Sequence, residues 1–260
     1  MRTFLAVTLT LVLAAVTAGA ATISLDFESE TANSATVPTG WALQSTPGGT
    51  AVYRTTPAGQ GSNGLGGNTG LAGQISCTAG PSNTQYPGAY LASTTNVDLT
   101  KAFSGTFDFR IVHESTYDDV GFLLGAVGDG LNVTGGSAGE FVYAKFTEGG
   151  GGKLLKDGLI GDLDAVNASL VDDTWYHAVV AWTPTSGTTG DFSITVSDFS
   201  SDVFSLSTTG FTFDSAEGQI GFGSVNDTMR VDNVSFTPEP ASLTLLAIGG
   251  LLAIRRRRRA

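Results

Sequence analysis

The sequence predicts an all-β fold, an antiparallel β-sandwich, on three observations. Helix signals are almost absent from residues 21–237. The chain holds 35 glycines, and serine and threonine are plentiful, so turn chemistry recurs along its length. Between the turns lie short β-branched or aromatic runs, several of them alternating apolar and polar residues with period two. Periods of two fit strands with one buried face. Residues 21–237 are of a length that one all-β domain can fill, and a single domain is expected.

In chain order, Arg2, an apolar stretch over residues 4–16 and the small residues Ala18, Gly19 and Ala20 form a secretory signal peptide, read as a helix over residues 1–20 with cleavage after Ala20 or Ala21. The first strand is expected at 22–27, where Ile23, Leu25 and Phe27 alternate with polar residues. Residues 31–88 read as loop-rich, with short strands around Trp41 and Leu43 and around Val52 and Tyr53, and with 59–73 as a flexible surface loop. Strands follow at 89–93, at 103–112 with Phe103, Phe107, Phe109 and Ile111 on one face, and at 120–127, whose continuous apolar run suits a strand covered on both sides. Next come a strand at 140–146, a glycine hinge at 149–152, a hairpin arm at 153–160 and a solvated acidic loop at 162–167. The strand at 173–182, a turn at 183–190 and a returning strand at 191–197 lead to a hairpin at 204–213 and strands at 218–223 and 229–236.

Charge narrows the function classes. Residues 21–237 hold seven basic against twenty-three acidic residues, a balance of about −16. Such a surface repels nucleic acid and anionic lipid, so no nucleic-acid partner is expected. Cys77 is the sole cysteine, which excludes an intrachain disulfide. Hydrolysis of a glycan would need two carboxylates about 5 to 10 Å apart across a cleft. No strand carries acids at the alternating spacing that would place them so, and Tyr117-Asp118-Asp119 points its two acids to opposite faces. His113 and His177, the only histidines, lie in no nucleophile-elbow pattern. A catalytic role is therefore not expected.

The last residues form an address. Pro238, Glu239 and Pro240 precede fourteen uncharged residues, 241–254, read as a short hydrophobic helix, and then Arg255, Arg256, Arg257, Arg258 and Arg259. At 1.5 Å per residue the run reaches roughly 21 Å against a hydrocarbon core of about 30 Å, a marginal span. Each arginine costs about 2.5 to 3.5 kcal/mol at the membrane centre, so the block stays on the cytoplasmic side and the body lies outside. This tail, residues 238–260, resembles a PEP-CTERM sorting signal. The resemblance implies recognition by an exosortase-like enzyme at the inner membrane, release near Pro238-Glu239-Pro240, and display at the cell surface or in the extracellular matrix.

Two stretches of the body carry a further resemblance. The hairpin opening at Asp173-Thr174-Trp175-Tyr176-His177 is similar to the central hairpin of laminin-G or concanavalin-A-like jelly rolls. Asp26-Phe27-Glu28 at the start and Val231-Asp232-Asn233-Val234 at the end resemble the strand pair of several carbohydrate-binding modules. That second resemblance implies a structural calcium held by Asp26, Glu28, Asp232 and backbone carbonyls, the hard oxygens calcium needs; no other cofactor is expected. Sugar recognition of this kind uses exposed aromatics, for which Trp41, Tyr86, Tyr90 and Tyr117 are the candidates. The resemblances together imply a noncatalytic sandwich associated with exopolysaccharide. A structural biofilm or matrix protein without a discrete ligand, and a glycan hydrolase or lyase, stay open as alternatives. Asn132, Asn167, Asn226 and Asn233 stand in N-x-S/T triplets, as chance allows in a chain rich in serine and threonine.

Overall fold

The computed structural model describes residues 22–45, 50–77, 88–112, 119–125, 141–147, 150–156, 162–225 and 227–238. They form β1 (Ile23–Leu25), β2 (Trp41–Ser45), β3 (Ala51–Thr55), β4 (Gly61–Ser62), β5 (Asn68–Thr69), β6 (Gly73–Cys77), β7 (Ala89–Ser93), β8 (Val97–Asp98) and β9 (Phe103–Val112). The chain continues through β10 (Asp119–Gly125), β11 (Phe141–Thr147), β12 (Gly151–Lys156), β13 (Asp162–Val166), β14 (Trp175–Ser186), β15 (Thr189–Ser197), β16 (Asp202–Thr212), β17 (Glu217–Val225) and β18 (Thr228–Pro238). No described residue is helical, and none of them forms a membrane-spanning helix.

Two sheets result. The first, sheet A, runs β16-β15-β14-β9-β18-β6-β3, with β1 also paired to β18; the second, sheet B, runs β13-β12-β11-β10-β17-β7-β2, with β8 on β17. Every pairing is antiparallel, as the period-two reading requires. The first and last strands lie side by side, Ile23 opposite Phe236 and Leu25 opposite Val234.

The inward residues of both sheets meet in one aromatic-rich core. Phe122 of β10 sits at its centre, stacked on Phe107 at 5.5 Å and on Phe236 at 5.5 Å, with Phe222 edge-on at 5.9 Å. Phe109 stacks on Phe146 at 4.5 Å across the two sheets. Such rings each bury a large apolar area, which helps offset chain entropy in a fold whose sole cysteine is free. The outward side of sheet B is buried too: Tyr90, Ala92, Leu123, Phe141, Tyr143 and Leu155 form a second apolar cluster. β10 is buried along its whole length, as its uninterrupted apolar run predicts.

Several local expectations are corrected. Residues 162–166 are an edge strand rather than an acidic loop, because their backbone pairs with β12; Asp164 Oδ2 also accepts the Ser207 N–H at 2.8 Å and so ties the edge of sheet B to β16. Gly151 and Gly152 open β12 and are buried, where a hinge was expected. A Cβ on Gly152 would lie 2.5 Å from the Phe204 ring, so the position needs glycine for close packing. The turn after β14 shrinks to the residues around Gly187, at φ 57°, because both flanking strands extend into it. Residues 202–212 are one strand with a register shift where a hairpin was expected. The signal peptide, the loop at 128–139 and the tail from Glu239 onward lie outside the described residues.

Candidate functional site

The densest polar arrangement lies on the outer face of sheet A, beneath β4 and β5. Strand alternation turns Asp108 and Arg110 of β9 outward, opposite Asp232 and Arg230 of β18 and His177 and Trp175 of β14. A register shift follows Asp232, where Asn233 takes a left-handed φ of 50° that asparagine tolerates. The bulge aims the Asn233 side chain at Asp108.

Ser62 of β4 closes the arrangement. Its N–H donates to Asp232 Oδ2 at 2.8 Å and its hydroxyl to Asp108 Oδ2 at 2.6 Å. Asn233 donates its N–H to Asp232 Oδ1 and its side-chain amide to Asp108 Oδ2, both at 2.8 Å. His177 Nδ1 lies 2.7 Å from Asp108 Oδ1. One pleat away, Asn68 Oδ1 of β5 accepts from Arg110 Nη1 at 3.0 Å and from Trp175 Nε1 at 2.9 Å. Arg110 also donates to Asp173 at 2.6 Å, and Arg230 reaches Gln60 at 2.8 Å. Residues 59–73 are thus pinned by buried polar groups, which corrects their reading as a flexible surface loop.

Two carboxylates 1 % exposed and side by side cannot both be charged at little cost. Burial pushes Asp232 up to about 7, helped by the charges of Asp108 and Glu28 and opposed by the two N–H donors. Among the described residues no hydroxyl or thiol hydrogen-bonds to the His177 ring, and the Ser62 hydroxyl donates to Asp108.

The expected calcium ligands do not converge. Asp26 is exposed and caps the Glu28 N–H at 2.9 Å; Glu28 is exposed and accepts the Leu71 N–H at 3.2 Å; Asp232 is buried against Asp108. Among the described residues no group of three or more histidines, cysteines, aspartates or glutamates is placed to hold a metal ion. Of the expected sugar platforms, Trp41 is 7 % exposed with its ring 5.7 Å from Phe222, and Tyr90 is fully buried in the second cluster. Both face packing partners because period-two alternation turns them toward apolar neighbours, so neither offers a ring to solvent. Tyr86 and Tyr117 lie outside the described residues. Pro238 ends β18 opposite Phe103, while Glu239, Pro240 and Arg255 to Arg259 lie outside the described residues. The residues that do come together, Asp108, Ser62, Asn233 and Asn68, were missed as a group. Their only sequence signal was the outward phase of Asp108 on its strand.

No family model and no curated protein matches the chain in sequence. Among solved structures, the chain is similar to peanut lectin, crystallised with a nine-residue peptide, at 14% identity and a TM-score of 0.54 over 84% of this chain and 98% of that one. It is similar to the lectin UEA-II complexed with galactose at 12% identity and 0.52, over 85% and 99%. Lectin II from Ulex europaeus aligns at 12% identity and 0.50 over the same shares. Looser likenesses include a carbohydrate-binding module from Bacillus subtilis and an alginate lyase from Aplysia kurodai, at TM-scores of 0.48 and 0.45. At these identities the likeness shows the jelly-roll fold and leaves the chemistry open.

Proposed function

We propose that this chain is an exported, noncatalytic sugar-binding β-sandwich, sorted through its C-terminal tail by an exosortase-like enzyme and associated with exopolysaccharide at the cell surface or in the matrix. The observation that carries the reading is the sandwich itself, which aligns with nearly the full length of lectins, one of them in complex with galactose. The excess of acids over bases and the apolar tail closed by arginines support a place outside the inner membrane. The His177–Asp108 pair, with no hydroxyl or thiol on the His177 ring among the described residues, favours binding over turnover.

A second reading, a structural matrix protein without a discrete ligand, draws on the burial of Trp41 and Tyr90 and on the absence of an exposed large aromatic among the described residues. The test is a glycan array probed with the exported protein, followed by product analysis of every bound glycan. Binding without product is expected. No binding favours the matrix reading, and released oligosaccharide overturns the noncatalytic one.

A further inference from the structure

The outer face of sheet A divides into two parts. One lies under β4 and β5 and holds the buried acids; the other is open. Across the open part the register sets a row over six strands: Ser24, Ser235, Thr106, Val179, Thr195 and Ser205. The next row along repeats the pattern on five strands, from Thr237 to Ser207 with Ala181 at its centre. None of these eleven positions is buried or charged, and nine carry a hydroxyl. Val179, 45 % exposed, is the large apolar side chain at the middle.

Pairing fixes the spacing of this lattice at about 4.8 Å between strands and about 6.8 Å along them. Thr195 and Ser205 lie 2.9 Å apart through their hydroxyls, so donors and acceptors are already set in one plane of the sheet. At one side the lattice meets a wall. His177 precedes Val179 in the outward phase of β14, and its ring lies 5.8 Å from that of Phe199. Phe199 takes a φ of 68° in a turn held by Asp198, which accepts the N–H groups of Ser200 and Ser201, and its ring lies against Gly66 of the pinned hairpin.

Charge selects the occupant. The body carries a large excess of acid, and Asp164 borders the ledge at Ser207, yet none of the eleven ledge positions is charged, so an anionic polymer is repelled by the surroundings and gains no ion pair on arrival. A second copy brings the same acid excess and meets little apolar area, since only Val179 and Ala181 supply it. An uncharged polysaccharide matches on both counts: its hydroxyls pair with the serine and threonine hydroxyls, and its C–H faces cover the two apolar side chains. We infer that the open part of the outer face of sheet A is the ledge that binds an uncharged polysaccharide, lying along the rows and abutting the His177–Phe199 wall. This rests on the sugar-binding reading above and names its site and ligand class.

The test is affinity electrophoresis of the exported protein through gels containing laminarin, dextran, galactomannan or alginate, with Val179→Asp and Val179→Thr beside the native protein. At least one uncharged polymer is expected to retard the native protein; Val179→Asp is expected to weaken that at least tenfold with Tm unchanged, and Val179→Thr to retain it. Should Val179→Asp fail to fold, Ser205→Asp on the exposed β16 takes its place. Full retention by the folded Asp variants overturns the ledge and leaves the sugar-binding reading standing, as does retardation by alginate alone. No retardation by any polymer overturns both. Sedimentation showing a native dimer that Val179→Asp dissociates assigns the face to a second copy and overturns the ledge.

Discussion

Asp108 is the hinge of the buried cluster, and replacing it with alanine puts a number on how the hairpin is held. Its carboxylate accepts from Ser62 Oγ at 2.6 Å and Asn233 Nδ2 at 2.8 Å, and it contacts His177 Nδ1 at 2.7 Å. Hydrogen bonds to a charged group contribute about 1.5 to 3 kcal/mol each. Relief of the repulsion with Asp232 returns part of that. His177 is one-third exposed and regains water, so its share is largely recovered. Asp108→Ala is therefore expected to cost about 3 kcal/mol in a urea titration at pH 7. Amide exchange at Ser62 is expected to accelerate with it, because the β4–β5 hairpin loses its side-chain anchor. A loss below about 1 kcal/mol, with the Ser62 amide still protected, refutes the claim that this cluster pins the hairpin.

Three further outcomes are expected. Because Asp232 sits at about 7 in the fold and near 3.8 when unfolded, it contributes stability that is present in acid and is lost as pH rises from about 4 to 7, at about 1.4 kcal/mol per pH unit. Urea midpoints across that range should fall less steeply with pH in Asp232→Ala than in the native protein; parallel profiles contradict the assignment. Phe122→Ala empties the centre of the ring cluster and is expected to lower stability by about 3 to 5 kcal/mol by thermal or chemical denaturation. Chelator is expected to leave Tm unmoved, since Asp26, Glu28 and Asp232 do not form a ligand group; a drop of several degrees restores the calcium expectation.

Much of the sandwich was legible because alternation is a local signal. Phe103, Phe107, Phe109 and Ile111 fall on one face of β9 in the sequence and in the core of the fold. Edge behaviour was not legible: Asp162 and Asp164 look like solvent residues until Asp164 is seen to meet the Ser207 amide 43 positions away. The hairpin over sheet A failed for a related reason. Glycine and asparagine between 59 and 73 advertise backbone freedom, while the partners that remove it, Asp108, Arg110 and Asp232, are distant in the chain. Period two placed Asp108 outward, yet only the β9–β18 register sets it opposite Asp232. Trp41 and Tyr90 mislead as platforms because aromatic residues beside loops look alike in sequence whether their faces meet solvent or Phe222.

That the sandwich works outside the cytoplasm, stripped of both apolar ends, is the premise of the acidic surface and of the uncharged ledge. Intact mass spectrometry of the protein recovered from the cell surface and medium tests it most directly. The expected mass begins at Ala21 or Thr22 and ends close to Pro238-Glu239-Pro240. Recovery of the whole 260-residue chain, dissolved in the cytosol with both ends uncut, contradicts the account.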